Sequence, residues 1–197
     1  MKIKSYLIIA TTTLCSLFVT QAHADWALNP QNAIFTFVTT KAISKSEVQK
    51  FTKLSGGVSN NGAIDVMIDL TSVDTGIPIR DERMQSMLFE IAKYPKNARF
   101  TGQLPDGLIQ AAKKNGVAEA TIDGLLELHG AKQIQKISIK VFSEKQGLWV
   151  TTTQPILVSA SNYGMDSGIE ALKNIAGLPS ISDVVSANFT LQFLPKP

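Results

Sequence analysis

The sequence predicts an all-β fold of about eight antiparallel strands with two short helices. Three observations predict it: short runs of β-branched and aromatic residues that alternate with polar ones, turn sequences such as Asn-Gly between those runs, and only two stretches with apolar residues at helical spacing. Such strands form either a sandwich or an up-and-down barrel, and composition does not choose between them.

The N-terminal segment, residues 1–24, has the pattern of a secretory signal peptide. It has a basic start, an apolar run too short to cross a membrane comfortably, and the small residues Ala22 and Ala24 before Asp25. We expect cleavage after Ala24. Cys15 follows Leu14 rather than a small residue, so we do not expect lipidation at this cysteine.

The part after the signal, residues 25–197, has the length of one domain with its own core. Without Lys2 and Lys4 the chain keeps 17 basic and 16 acidic residues, a net charge of +1. It has no clustered basic face, so nucleic acid is not an expected partner. The sole cysteine lies in the signal, which leaves neither a disulfide nor a reactive thiol.

The first half reads as three strands and a helix. Alternating residues mark a strand at 34–39, residues 48–58 read as a second, and Asn60-Asn61-Gly62 predicts a hairpin turn into a third. In the third strand Ile64, Val66, Ile68 and Leu70 share one face, with Asp65 and Asp69 on the other. From Arg80, apolar residues at positions 84, 87, 88 and 91 predict an amphipathic helix ending near Tyr94-Pro95.

The second half reads as further strands and one more helix. The segments with strand character are 98–102, 108–112, 117–128, 137–141 and 148–160, with turns at Asn115-Gly116, at Gly130 and at 145–147, and with a bend expected at Pro155. Ser167 and Glu170 have the spacing of a capping box, which predicts a helix over 167–176. The last strand places Val185, Ala187, Phe189, Leu191 and Phe193 on one face, which suits closure against the first strand.

The order of several motifs resembles the YceI-like family. The matching segments are Trp26-Ala27-Leu28-Asn29-Pro30, Gly56-Gly57, residues 69–75 (Asp-Leu-Thr-Ser-Val-Asp-Thr), residues 80–84 (Arg-Asp-Glu-Arg-Met), Lys93-Tyr94-Pro95, residues 98–102 (Ala-Arg-Phe-Thr-Gly) and residues 122–130 (Ile-Asp-Gly-Leu-Leu-Glu-Leu-His-Gly). The resemblance spans nearly the whole chain after the signal, and its most specific part is 72–100.

The resemblance implies a lipocalin-like antiparallel β-barrel that is exported to the bacterial periplasm. Known members of the family carry long polyisoprenoids or related chain lipids in the barrel. Two features depart from the family pattern: Thr39-Thr40 stands where relatives often have a histidine, and the Lys-rich segment 41–53 replaces one that is often rich in glycine and aromatic residues. We expect the mouth of the cavity to differ accordingly.

Ligand-binding candidates are the residues that the alternation turns inward, together with an arginine and two methionines of the first helix. They are Trp26, Phe35, Phe37, Ile64, Val66, Ile68, Arg80, Met84, Met87, Phe100, Leu126, Ile139, Phe189, Leu191 and Phe193. Arg80 could grip a lipid head group or form a structural ion pair with a neighbour such as Asp74 or Asp81. The two methionines could touch ligand or only pack the helix on the barrel.

No catalytic or metal-binding constellation is visible. His129, the one histidine after the signal, is expected to be an exposed turn residue, and no cofactor is implied. The leading function is a non-catalytic carrier of an apolar chain lipid, without stable membrane insertion. A filled barrel that docks a partner protein in envelope stress or redox systems is the alternative, and a lipid-dependent enzyme is third. A homodimer stays open.

Overall fold

The structure is a computed structural model that describes residues 25–196, so the predicted signal peptide lies outside the described residues. These residues form twelve antiparallel strands in one sheet. The strands are β1 Trp26–Leu28, β2 Ile34–Lys41, β3 Lys45–Phe51, β4 Leu54–Val58, β5 Ala63–Asp69, β6 Val73–Asp74, β7 Asn97–Gln103, β8 Val117–Leu128, β9 Ala131–Glu144, β10 Gly147–Thr152, β11 Ile156–Ser159 and β12 Val184–Pro195. The helices are α1 Pro78–Arg83, continued by a π-helical turn Met84–Leu88 (the π turn), α2 Leu108–Asn115 and α3 Asp166–Ile175.

Eight of the strands close the sheet into a barrel. Around the ring the order is β1, β4, β5, β7, β8, β9, β10 and β12, and β12 pairs with β1 again. Trp26 lies at the join, where it pairs with Val58 of β4 on one side and with Pro195 of β12 on the other. The predicted antiparallel barrel of about eight strands is therefore confirmed, and so is its closure by the C-terminal strand.

Beyond this ring the barrel wall opens. The second half of β12 pairs with β1 and β10, whereas its first half pairs with β2 and β11. Ala187 is thus the register partner of Phe37 on one side and of Ile156 on the other. β2 then pairs with β3, and β3 with the short β6. In this half of the molecule β6 and β11 are sheet edges, and α1, the π turn and α3 lie at this end of the barrel.

Two predicted strands are each divided into halves. The strand expected over 48–58 is interrupted at Thr52 and Lys53, whose backbone NH groups donate to the carbonyl and the side-chain hydroxyl of Ser72 instead of to a neighbouring strand. The bend expected at Pro155 is confirmed, because the chain leaves the sheet between β10 and β11. Both breaks lie where the sheet changes partners, and each lets one chain segment contribute one strand to the eight-stranded ring and one to the wider end of the barrel.

The segment 108–112 is a helix, so the strand predicted there was wrong. Leu108, Ile109 and Ala112 are buried on one side of α2. A short apolar run of this length can be read as a strand or as a helix. Asn115 ends the helix and Gly116 follows it as a left-handed residue, so Asn115-Gly116 is a helix terminus and not a hairpin turn. The structure therefore has three α-helices among residues 25–196.

The first predicted helix is shorter than expected. α1 begins at Pro78, a residue suited to the first turn, and it continues into the π turn, in which the backbone NH of Phe89 donates to the carbonyl of Met84. Glu90 then has a positive φ of 42°, which ends the helical run before Tyr94. Met84 and Leu88 are buried, as the amphipathic pattern predicted.

The capping box predicted for the second helix is not formed. α3 begins at Asp166, one residue before Ser167, and no side chain caps it, while Glu170 forms an ion pair with Lys173. Gly168 instead has a contact role, because a Cβ on it would lie 2.5 Å from the carbonyl oxygen of Met87. The absence of a side chain at Gly168 lets α3 approach the π turn.

A substitution at Gly56 tests the close contact between β4 and β5. Gly56 has a φ of 123°, and a Cβ there would lie 2.1 Å from the carbonyl oxygen of Asp65. We expect Gly56→Ala to lower the free energy of unfolding by about 3 kcal/mol or more, measured by urea denaturation. Gly76→Ala is the control, since Gly76 also has a positive φ but no neighbouring atom within 4 Å. It should cost about 1–2 kcal/mol, and equal losses would contradict the steric explanation.

Candidate ligand-binding site

The barrel is hollow. It encloses a cavity of about 560 Å³, a size within the usual range of ligand pockets, and the side chains around it are mostly aliphatic and aromatic. Strand alternation builds this lining, because every second residue of a strand points inward. On β12 these residues are Val185, Ala187, Phe189, Leu191 and Phe193, the face that the sequence pattern predicted.

The structure brings most of the sequence-predicted site residues together. All of them except Trp26 and Met87 line the cavity, and they are Phe35, Phe37, Ile64, Val66, Ile68, Arg80, Met84, Phe100, Leu126, Ile139, Phe189, Leu191 and Phe193. Trp26 is buried at the end of the barrel that α2 covers, and the Lys113 ammonium of α2 lies 4.7 Å from the centre of the indole. Met87 is half-buried in the π turn beside α3. That the lining residues bind ligand stays a prediction.

One end of the cavity is closed by α2. Ile109 of this helix and Leu104 before it line the cavity, and Leu108 and Ala112 are buried beside them. Ile109 is not among the predicted site residues, because the short apolar run 108–112 was predicted to be a strand. The helical spacing of 108, 109 and 112 was the signal that could have found it.

The opposite end is the mouth, and helices contribute to its rim. Ile77 and Ile79 at the start of α1 and Ile175 at the end of α3 line the cavity while each remains about half exposed. Ile169 and Leu172 of α3 line it further in. Sequence reasoning did not select these α3 residues, because periodicity identifies the apolar side of a helix but not the surface against which that side packs.

Charged side chains converge at the mouth around Glu47 of β3. The Arg80 guanidinium lies 2.7 Å from one carboxylate oxygen of Glu47, and the Lys41 ammonium lies 2.8 Å from the other. Lys41 and, to a lesser degree, Arg80 hold the pKa of Glu47 below its usual range, because each stabilises the ionised carboxylate. Near neutral pH this cluster therefore carries two positive charges and one negative charge.

Arg80 does form an ion pair, but with Glu47 rather than with either carboxylate near it in sequence. Asp81 accepts hydrogen bonds from the backbone NH and the hydroxyl of Thr75. Asp74 accepts from the backbone NH of Gly76 and pairs with Lys50. The two aspartates therefore shape the loop before α1, while Arg80 itself reaches the cavity mouth.

His129 is buried, so the expectation of an exposed turn histidine was wrong. Its side chain is enclosed because residues 89–94 and 161–163 fold over the β8–β9 hairpin. Its Nδ1 lies 3.0 Å from the carbonyl oxygen of Tyr163, its Nε2 lies 3.1 Å from a carboxylate oxygen of Glu90, and its ring centre lies 3.8 Å from that of Tyr94. The Tyr163 carbonyl oxygen can only accept, so Nδ1 carries a proton and donates to it. The histidine thus joins the β8–β9 hairpin, residues 89–94 and residues 161–163 at the mouth end of the barrel.

Within residues 25–196, no three His, Cys, Asp or Glu side chains lie close enough together to hold a metal ion. None of the helices in this range is long and apolar enough to cross a membrane.

Comparison with known proteins identifies relatives of the whole barrel. The family model described as "YceI-like domain" matches residues 26–193. A polyisoprenoid-binding domain from Saccharophagus degradans, implicated in plant cell wall breakdown, is 31% identical and superposes with a TM-score of 0.81, over 88% of this chain and 100% of that domain. None of the curated proteins matches the sequence.

Two more distant structures share the fold. BcnA of Burkholderia cenocepacia is 17% identical, with a TM-score of 0.65 over 83% of this chain and 98% of BcnA. The YCEI protein of Campylobacter jejuni is 13% identical, with a TM-score of 0.54 over 99% of each chain. At these identities the likeness concerns the barrel architecture alone.

Replacing His129 by asparagine tests its role in joining the three segments. Asparagine tolerates the φ of 51° at this position but cannot reach both partners. We expect the free energy of unfolding to fall by about 2–3 kcal/mol in urea denaturation, since the buried Tyr163 carbonyl oxygen and the half-buried Glu90 carboxylate lose their contacts with the ring. Gln133→Ala is the control, because it removes a solvent-exposed bond to the Asn162 carbonyl oxygen from the same hairpin. A loss from His129→Asn no larger than that of this control would refute the assignment.

Proposed function

This chain belongs to the YceI-like family, and we propose from that membership and from its hollow apolar barrel that it is a periplasmic carrier of a long-chain lipid. The ligand is a polyisoprenoid or a related chain, held inside the barrel without a chemical reaction. The observation that carries the proposal is the continuous apolar cavity. It extends from Ile109 at the end closed by α2 to Ile79 and Arg80 at the mouth.

The driving force for binding is burial of the chain. Each methylene removed from water contributes about 0.8 kcal/mol, so ten buried methylenes contribute about 8 kcal/mol before the entropy lost on binding is subtracted. The lining supplies contacts of this kind from the aromatic rings of Phe35, Phe37 and Phe189 and from aliphatic side chains. A cavity lined in this way favours long, flexible apolar chains but distinguishes weakly between chains that differ by one methylene.

The hollow interior favours this function over the two alternatives. A module that acted only by docking a partner protein would need no cavity, and its interior could be filled by side chains. For catalysis, the ionisable groups that line the cavity are Lys41, Glu47, Arg80, Arg83 and Asp183. Glu47 is neutralised by two cations, and the pKa of Asp183 is lowered first by the hydroxyl of Ser159 and then by Ser161, so both carboxylates are poor proton donors near neutral pH.

The periplasmic location rests on the predicted signal peptide. If the signal is cleaved after Ala24, the exported protein begins at Asp25, and intact-mass measurement of the protein from the cell envelope checks this boundary. The same preparation serves for identification of the ligand.

Native mass spectrometry of protein gently isolated from its own envelope tests carriage directly. We expect a stoichiometric adduct that organic extraction identifies as a chain lipid. Phe189→Asp should abolish the adduct, because the carboxylate lies in the apolar cavity, and Ala187→Phe should reduce it by filling space there. Ile134→Asp is the control, because Ile134 is 66% exposed on β9.

Circular dichroism of the three variants separates loss of binding from loss of folding. An adduct that survives in both folded cavity variants would place the lipid outside the barrel. A lipid-free mass for the unmodified protein after gentle isolation would reject carriage and favour the docking module.

A further inference from the structure

One wall of the cavity changes from apolar to charged along its length. On β2 and β3 the inward-facing positions lie opposite one another in register: Phe35 faces Phe51, Phe37 faces Gln49 and Thr39 faces Glu47. Phe35 and Phe51 lie deepest, Phe37 and Gln49 share the next level, and Thr39 and Glu47 lie closer to the mouth, where Glu47 meets Lys41 and Arg80. This gradient matches an amphipathic ligand whose polar end points towards the mouth.

Gln49 carries an unpaired polar atom within this wall. The side chain lines the cavity and the residue is only 5% exposed. Its Nε2 donates to the hydroxyl oxygen of Thr39 at 3.0 Å, but no group of residues 25–196 donates to its buried Oε1. A buried acceptor without a partner is rare and destabilising. Oε1 has almost no accessible surface in this structure, so a ligand in the cavity supplies the missing hydrogen bond once the amide turns towards it.

A comparison with other buried polar groups singles out this position. Gln135 of β9 also lines the cavity, but its Nε2 donates to the Tyr163 hydroxyl at 3.0 Å and neither of its amide atoms is both buried and unpaired. The other buried unpaired side-chain atom in the described chain is the Trp26 indole nitrogen, and Trp26 does not line the cavity. Gln49 alone combines a place in the lining with an unpaired buried atom among the residues described.

The surroundings of Gln49 favour an uncharged head group over an anionic one. Glu47 is the next inward-facing residue of β3 towards the mouth, and its low pKa keeps it ionised near neutral pH. A phosphate at the depth of Gln49 would lie beside this carboxylate, and the Lys41 and Arg80 cations already pair with Glu47. A hydroxyl carries no charge and can both donate and accept, so it satisfies the amide whichever way the amide is turned.

From this geometry we infer that Gln49 and Thr39 form a subsite for a hydroxyl group at the polar end of the lipid, so the ligand is a long-chain alcohol or phenol rather than a hydrocarbon or a phosphate. The inference rests on the proposed function, since it concerns the orientation and class of the same ligand. The chain lies against Phe37 and the deeper lining, the Gln49 amide turns so that its enclosed Oε1 faces the cavity, and the ligand hydroxyl donates to this oxygen.

Binding of matched C20 probes to the lipid-free, signal-cleaved protein tests the subsite. The probes are geranylgeraniol, its methyl ether, the hydrocarbon of the same skeleton and geranylgeranyl phosphate, each measured by displacement of a fluorescent polyene fatty acid. For each protein, the preference is the affinity for the alcohol divided by the affinity for the hydrocarbon. The readout is the preference of the unmodified protein divided by that of Gln49→Met, a quotient in which differences in probe hydrophobicity cancel. We expect this quotient to be about 5–10.

Two further variants make the result specific. Gln135→Met is the matched control, and its quotient should be near one because the Gln135 amide already has a protein partner. Thr39→Val removes the hydroxyl that orients the Gln49 amide, and its quotient should be intermediate. Gln49→Met should melt at the same or a higher temperature than the unmodified protein without lipid, because it removes an unpaired buried acceptor.

The outcomes separate this inference from the carrier function. Binding of all four probes with a quotient near one for Gln49→Met would overturn the subsite and leave the carrier function standing. A phosphate preference that survives Gln49→Met would overturn it in favour of an anionic head group. If the methyl ether binds as tightly as the alcohol, the ligand hydroxyl does not donate and the inference fails. If no probe binds, the carrier function fails with it.

Discussion

Closure of the sheet through β1 is the constraint on which the rest of the structure depends. This strand has only three residues, yet it pairs with β4 on one side and with β12 on the other. Once the ring is closed, alternate residues of every strand face either the interior or the outside, and a slip of one residue in register would turn a whole strand inside out. A ring of eight strands also encloses room for one small ligand.

The two ends of this barrel are closed by different means, and the difference gives the cavity a direction. At the ring end α2 covers the opening with buried apolar residues, and Trp26 lies below it. At the other end the strands change partners and separate, and α1, the π turn and α3 cover only part of the gap. His129 holds this cover in place through Glu90 and Tyr163. The half-exposed isoleucines and the charged cluster of the rim therefore mark the more open end of the cavity.

The polar residues of β2 and β3 give the cavity its second asymmetry. An apolar residue at position 49 would pack in the barrel wall without an unpaired polar atom. The Gln49 amide oxygen instead costs about 1–3 kcal/mol of stability when nothing donates to it. Features that reduce stability without ligand commonly belong to a binding site. Together with the ionised Glu47 nearer the mouth, the amide makes one wall a graded surface from aromatic to charged.

The sequence by itself determined the all-β class, most strands, most turns and the inward face of nearly every strand. These follow from local rules: a period of two in a strand such as 185–193, and Asn-Gly or His-Gly where the chain reverses. The cavity-lining residues were predictable for the same reason, because alternation is set residue by residue along each strand. The resemblance, rather than the pattern, chose the barrel over the sandwich.

Only the tertiary structure decided the features that depend on residues far apart in sequence. A short apolar run such as 108–112 fits a strand or a helix, and its position across the end of the barrel selected the helix. His129 is buried because segments about 35 to 40 residues away cover its hairpin. Arg80 pairs with Glu47 because β3 places that carboxylate beside α1. Local patterns carry no information about such neighbours, since the contact exists only after the strands have closed around a common interior.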